Sequence, residues 1–225
     1  MQDGLWCPGR RGRAAFTRIE LAIVTVVVAV LVALVLPAIV RPHHPSRKPS
    51  CVNNLKQIGL AFRIFANDNN EKLPWEVSTN LGGSREFVDA PFSAFHHFQV
   101  MSNELSTPRL LVCHKDPQRT SATNFFSFRD NKALSYFAGF GTHVDDPSSF
   151  LSGDRFLGST RAPTNGLLTL SPFSPLWWTK SPHADGGNVV MGDGSVQQLN
   201  SQGLLQALRN TGLATNRLAL PLIGP

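Results

Sequence analysis

Residues 14–40 read AAFTRIELAIVTVVVAVLVALVLPAIV, and this apolar run limits what the chain can fold into more than any other feature. From Leu21 to Val40 twenty residues carry no formal charge, with only Thr25 interrupting their apolarity and only Pro37 their backbone chemistry. At about 1.5 Å per helical residue such a stretch reaches across a hydrocarbon core of roughly 30 Å. A buried helix of a globular domain normally has a polar face, which this run lacks. A secretory signal peptide has a shorter apolar region, about 7–15 residues. The expectation is therefore a membrane-spanning helix. Arg10, Arg11, Arg13 and Arg18 precede it and Arg41, Arg47 and Lys48 follow, so the flanking charges orient it only weakly. One acid, Glu20, stands at its edge, where an ionised carboxylate is costly unless it is paired or stays hydrated.

The remainder of the 225 residues leaves room for one anchored domain, or at most two small ones. With 42% hydrophobic and 16% charged residues the chain can bury a core and is not a disordered tail. Its net charge of +6 is scattered and forms no dense Lys/Arg stripe with interleaved aromatics, so nucleic acid is not an expected partner.

After the apolar run comes RPHHPSRKPS, where Pro42, Pro45 and Pro49 stop any helix and mark residues 41–49 as a linker. His43 and His44 within it lack a closed ligand set. Ser50 can cap a second helix in which Val52, Leu55, Ile58, Phe62 and Phe65 recur at spacings of three and four, until Asn67 to Asn70 end it. That stripe calls for a sheet to pack on. Between Leu73 and Pro182 the short apolar bursts RLLVC, LSYFAGF and NGLLTL, set among turn residues, read as strands. PLWWTK puts two tryptophans together, facing either core or partner. Near the end, GLLQALRNTG has amphipathic spacing at Leu204, Leu205 and Leu208, with Gly212 able to stop a short helix. The fold class is α+β, an amphipathic helix on an antiparallel sheet.

The stretch Ala15, Phe16, Thr17, Arg18, Ile19, Glu20 before a long apolar helix resembles the signal of type IV prepilins and type II secretion pseudopilins. In addition, CVNNLKQIGLAF after the anchor, and His183 followed after nine residues by Asp193-Gly194, resemble a large planctomycete-type pseudopilin-like family. The resemblance implies a leader over residues 1–15, cut after Ala15 by a prepilin peptidase, with N-methylation of Phe16. It implies a transmembrane assembly helix over 16–40 and an extracytoplasmic pilin-like head over 50–225. Glu20 would pair with the free amine of a neighbouring subunit, so the partners would be prepilin peptidase, other pseudopilin subunits in a homo- or hetero-polymer, and inner-membrane lipid. The implied function is a membrane-anchored subunit of a type II secretion or type IV pilus-like filament, single-pass in the inner membrane with its head in the periplasm. The alternative is an anchored binding protein that uses the signal only for export. Three departures are present: Ala15 where the signal usually has Gly, Arg18 where it usually has Leu, and the proline break after the helix.

Two readings stand for NVVMGDGSVQQL. Asp193-Gly194 supplies the positive backbone angles of a hairpin turn. Alternatively Asp185, Asn188 and Asp193 offer hard oxygens to calcium, as major pseudopilins do in a C-terminal loop, although their spacing is not that of an EF-hand. His183 reads as a packing or hydrogen-bonding residue, or as one that orients an acidic partner. With Cys7 in the leader, Cys51 and Cys113 remain as a candidate disulfide or as two free thiols. Cys113-His114 as half a zinc site needs partners at metal spacing, and none is visible along the chain. A hydrolase would need a nucleophile. Ser195, His183 and Asp185 make a triad only on paper, because no Gly-x-Ser-x-Gly turn surrounds Ser195, and an enzyme is not expected.

Overall fold

The computed structural model describes residues 17–39, 51–179, 183 and 186–224, with side chains in the first helix described through residue 33. The leader with its Ala15–Phe16 cleavage point, the linker over 41–49, the Ser50 cap and Asp185 lie outside the described residues. The chain divides into two compact units, Met1–Ser46 and Arg47–Pro225.

In the first unit a helix, α1, runs from Arg18 to Ile39. Its start is a reciprocal cap. The Thr17 backbone N–H and hydroxyl donate to Glu20 Oε2 at 2.8 and 2.9 Å, and the Glu20 N–H donates back to Thr17 Oγ1 at 3.3 Å. Thr-x-x-Glu is the sequence form of a capping box, which satisfies two helix-end donors at once. These Thr17 hydrogen bonds, the backbone one first, hold the Glu20 carboxyl below its ordinary range. The acid at the edge of the apolar run therefore has a local partner in its own helix.

The expected membrane span is corrected. Among the described residues no helix is long and apolar enough to cross a membrane. That finding overturns the transmembrane helix over 16–40. The single-pass inner-membrane placement with a periplasmic head falls with it, as does the membrane-anchored filament subunit.

The second unit is built on helix α2, Cys51–Asp68. Its buried face is Cys51, Asn54, Leu55, Ile58, Gly59, Ala61, Phe62, Phe65 and Ala66, the three-and-four spacing expected of one helix side. Asn69 ends it by donating from its side chain to the Phe65 carbonyl at 2.8 Å, and Asn70 and Glu71 follow in left-handed conformation. From Leu73 to Leu134 the chain wraps this helix in single turns of 3-10 helix and two short helices, α3 (His96–Gln99) and α4 (Ser102–Leu105). RLLVC, expected as a strand, is instead a 3-10 turn over Pro108–Leu111. Pro108 has no N–H to give a ladder, and the Thr107 side chain accepts from the Arg109 N–H at the turn's start.

Among the described residues eight strands follow: β1 (Tyr136–Phe140), β2 (Phe150–Asp154), β3 (Leu157–Ser159), β4 (Leu167–Leu170), β5 (Leu176–Trp178), β6 (Gly186–Met191), β7 (Val196–Asn200) and β8 (Asn216–Ala219), with helix α5 (Ser201–Asn210) between the last two. Six of them form an antiparallel sheet in the order β4-β8-β1-β2-β6-β7, and β3 pairs with β5. Both faces are covered. Tyr136, Ala138 and Phe140 of β1 join the core that contains Leu55, Ile58 and Phe62 of α2. Phe137 joins the other core, with Leu204 and Leu208 of α5. This is the two-residue period of a strand buried on both sides. Trp178 is buried in that second core, while the side chain of neighbouring Trp177 stays 38% exposed, so the two tryptophans face opposite ways. Gly59 lets α2 approach the sheet closely, since a Cβ there would stand 2.7 Å from Val190 Cγ2 of β6.

Candidate functional site

Four segments distant in sequence meet at one end of the sheet: the first turn of α2, residues 113–116, the end of β2, and the β6–β7 ladder with His183 before it. Cys51 opens α2 and Cys113 follows the 3-10 turn, and a disulfide joins them with 5.3 Å between their α-carbons. Both are buried, at 2% and 1% exposure.

The loop carrying Cys113 is clamped. Asp116 takes two bonds from Arg155, at 2.7 and 3.0 Å, and a third from the Ser135 hydroxyl at 2.9 Å. Burial pushes the Asp116 carboxyl up, but its bonds to Arg155, the guanidinium charge and the Ser135 bond outweigh that and hold it low. A forked guanidinium–carboxylate pair fixes orientation as well as distance. Residues 113–115 are thereby held against the end of β2.

At that end Asp154, 1% exposed, accepts from the Asn188 backbone N–H at 2.7 Å and from its side-chain amide at 2.8 Å. Burial raises the Asp154 carboxyl to about 6, with the Asn188 bonds opposing and the Asp116 charge adding to the rise. His183 Nε2 lies 3.6 Å from Asp154 Oδ2 and 3.3 Å from Cys113 Sγ. Burial, then the charges of Lys115 and His114, push the His183 imidazole below its ordinary value. On the other sulfur, His114 Nδ1 stands 3.5 Å from Cys51 Sγ.

Two hollows open beside these groups. One, of about 270 Å³, is bounded by Gly186, Gly187 and Leu199. The other, of about 260 Å³, is bounded by Cys51, Val52, His114 and Lys115. His183, Asn188 and Gln198 line both. Asn188 Oδ1 is buried without a hydrogen-bond partner among the described residues.

The His-x9-Asp-Gly spacing now has a physical meaning: it measures strand β6 plus its turn. His183 sits before the strand beside the disulfide, and Asp193-Gly194 closes the β6–β7 hairpin at the far end. There Gly194 takes a φ of +83°, its N–H donates to the Met191 carbonyl at 2.9 Å, and Asp193 Oδ1 accepts from the Ser195 N–H at 2.8 Å. Arg63 of α2 donates to the Asp193 carbonyl at 2.7 Å and tethers the turn.

Of the calcium set Asp185, Asn188 and Asp193, the first lies outside the described residues and the other two stand at different places on the β6–β7 hairpin. Asp193 lies beyond the end of β6, three strand steps of roughly 3.3 Å from Asn188 to Met191 and then the turn. The same separation keeps Ser195 from His183, so the paper triad does not form. The signal missed along the chain was Asp154: a lone aspartate ending FLSGD, without local partners in sequence. Glu20 was visible as Thr-x-x-Glu.

The fold and site together define a disulfide-stapled α+β domain with a small polar cleft at one end of its sheet. No family model matches the chain, and no curated protein or solved structure matches it. The resemblance to type IV prepilins and type II secretion pseudopilins is corrected accordingly: no match carries it, and its defining membrane helix is not found among the described residues.

Proposed function

We propose that residues 51–224 form a partner-binding domain without a catalytic step of its own, and that the cleft at His183, Asn188 and Gln198 is its binding site. The observation that carries this reading is the convergence of separate segments, held by a covalent bond and a forked ion pair, around a cleft of fixed shape. Pre-set geometry of this kind lowers the ordering cost of binding. The sulfur nearest His183 is tied up in the disulfide and is no nucleophile, which favours binding over acyl-transfer chemistry. His114 and Lys115 are exposed on the rim of the cleft and suit a carboxylate-bearing partner. A disulfide persists in an oxidising compartment, so that is where the domain would work.

The test is a titration of the oxidised full-length chain with a tetrapeptide bearing two glutamates and a free α-carboxylate, followed by histidine ring proton resonances. Shifts confined to His114 and His183, lost with the amidated glutamine analogue and in Lys115→Glu, are expected. An unchanged spectrum, or shifts equal for both peptides, would refute the reading.

A further inference from the structure

We infer that this end of the sheet is also a zinc site, closed while the Cys51–Cys113 disulfide is intact and opened by its reduction. Two ligand triads meet there, Cys51–Cys113–His114 and Cys113–Asp154–His183. Within each, the ligand atoms lie within 4.8 Å of one another. They share Cys113. A tetrahedral zinc ion with sulfur at about 2.3 Å and nitrogen at about 2.05 Å sets sulfur–nitrogen edges of about 3.5 Å. The structure already holds His114 Nδ1 at 3.5 Å from Cys51 Sγ and His183 Nε2 at 3.3 Å from Cys113 Sγ. The covalent bond shortens the sulfur–sulfur edge, and His183 belongs to a different triad from Cys51 and His114, so a single tetrahedron also needs those edges to close. Breaking the bond lets the sulfurs move toward the roughly 3.7 Å that the tetrahedron requires.

The chemistry balances with a dithiol as reductant. Its two electrons and two protons open the S–S bond to two thiols, and the dithiol becomes a cyclic disulfide. Zinc then displaces one proton from each thiol to solvent, giving a site of two thiolates and two neutral imidazoles with no net charge. Cys51, Cys113, His114 and His183 are the ligands. Asp154 Oδ2, 3.6 Å from the same His183 Nε2, lies beside the ion's position and acts on it through its charge. The pair of bonds from Arg155 to Asp116 keeps residues 113–116 in register when the disulfide is gone. Cys51, His114 and His183 line the hollow of about 260 Å³, which gives an ion a way in. In the oxidised chain neither sulfur is a thiolate, so neither triad closes.

This inference stands on the ligand geometry and does not depend on the partner-binding reading, which is tested on the oxidised chain. The full-length chain is reduced with a phosphine, desalted under nitrogen and titrated with cobalt(II), then with zinc. One cobalt per chain is expected, with the visible bands of a tetrahedral ion and near-ultraviolet thiolate-to-cobalt charge transfer, both bleached by zinc. The oxidised chain should give neither. His114→Ala, at an exposed position, and Asp154→Asn should each weaken zinc roughly tenfold or more. Circular dichroism covers the case in which reduction loosens the domain: recovery of the oxidised spectrum on adding zinc supports the site, and failure to recover overturns it. A reduced chain without tetrahedral cobalt bands, equal metal uptake before and after reduction, or unchanged affinity in both variants would likewise overturn it.

Discussion

Replacing both bridge cysteines, Cys51→Ala with Cys113→Ala, should cost the second unit about 4 kcal/mol of stability. The bridge joins residues 62 apart in sequence. In the loop-closure treatment a cross-link of that span removes about 14 cal/mol/K from the unfolded chain, or about 4 kcal/mol at 25 °C. For a domain of this size each kcal/mol moves the melting temperature by roughly 2–4 °C, so the shift should be roughly 8–16 °C. The assay is urea unfolding of the oxidised wild type and the double variant, in a chelator so that no metal substitutes for the bridge. Phosphine-reduced wild type serves as a second reference, because it keeps the two buried sulfurs and loses only the covalent bond. Reduced wild type and double variant should lie close together and well below the oxidised chain. A loss under about 1 kcal/mol in both would refute the reasoning, since the unfolded chain would then not feel the constraint.

Asp154 and His97 should give stability profiles of opposite slope. Folding raises the Asp154 carboxyl from 3.8 to about 6 through burial, so its contribution is full below pH of about 4 and is lost as pH rises through about 6, a change of about 3 kcal/mol. The stability difference between wild type and Asp154→Asn, measured by urea at several pH values, should shift by that amount, and a flat difference would sink the assignment. His97 is fully buried, shares a 2.8 Å contact between its Nδ1 and the Ser84 hydroxyl, and is pushed down to about 3 by burial first and by His96 second. Its contribution is full above pH of about 6.5 and is lost as pH falls toward about 3, on the order of 3 kcal/mol between pH 7 and pH 4. His97→Gln should flatten that acid limb, and an unchanged limb would show that another group causes it. Gly139→Ala would put a Cβ 2.0 Å from the Phe150 carbonyl oxygen on the neighbouring strand. Thermal unfolding should then register a loss at the upper end of about 1–3 kcal/mol, and a neutral result would mean that β1 and β2 separate there freely.

What the sequence determined by itself is local. The spacing of Leu55, Ile58, Phe62 and Phe65 commits residues 51–68 to a helix with one buried face, because a 3.6-residue period leaves no other way to bury them together. LSYFAGF and NGLLTL become β1 and β4, and Asp193-Gly194 becomes the hairpin turn, since a positive φ at low cost needs glycine. Where local signals competed, reading along the chain went astray. RLLVC has the composition of a strand, but Pro108 and the Thr107 cap bend it into a 3-10 turn. Thr17, three residues before Glu20, donates to its Oε2 and gives that acid a partner within its own helix.

Only the tertiary structure decided the site. Cys113 and His114 are adjacent along the chain, and the residues that gather around them, Cys51, Asp154 and His183, stand 62, 41 and 70 residues from Cys113. No periodicity links positions so far apart. They meet because β2 and β6 run antiparallel with Gly153 opposite Val189, which sets Asp154 beside Asn188, and because the disulfide fastens the start of α2 to the same corner. Side-chain pattern along a segment reports which face is buried, whereas strand order and register decide which distant segments share an end. That is why the helix and the turn were legible in the sequence and the cluster of sulfur, imidazole and carboxylate was not.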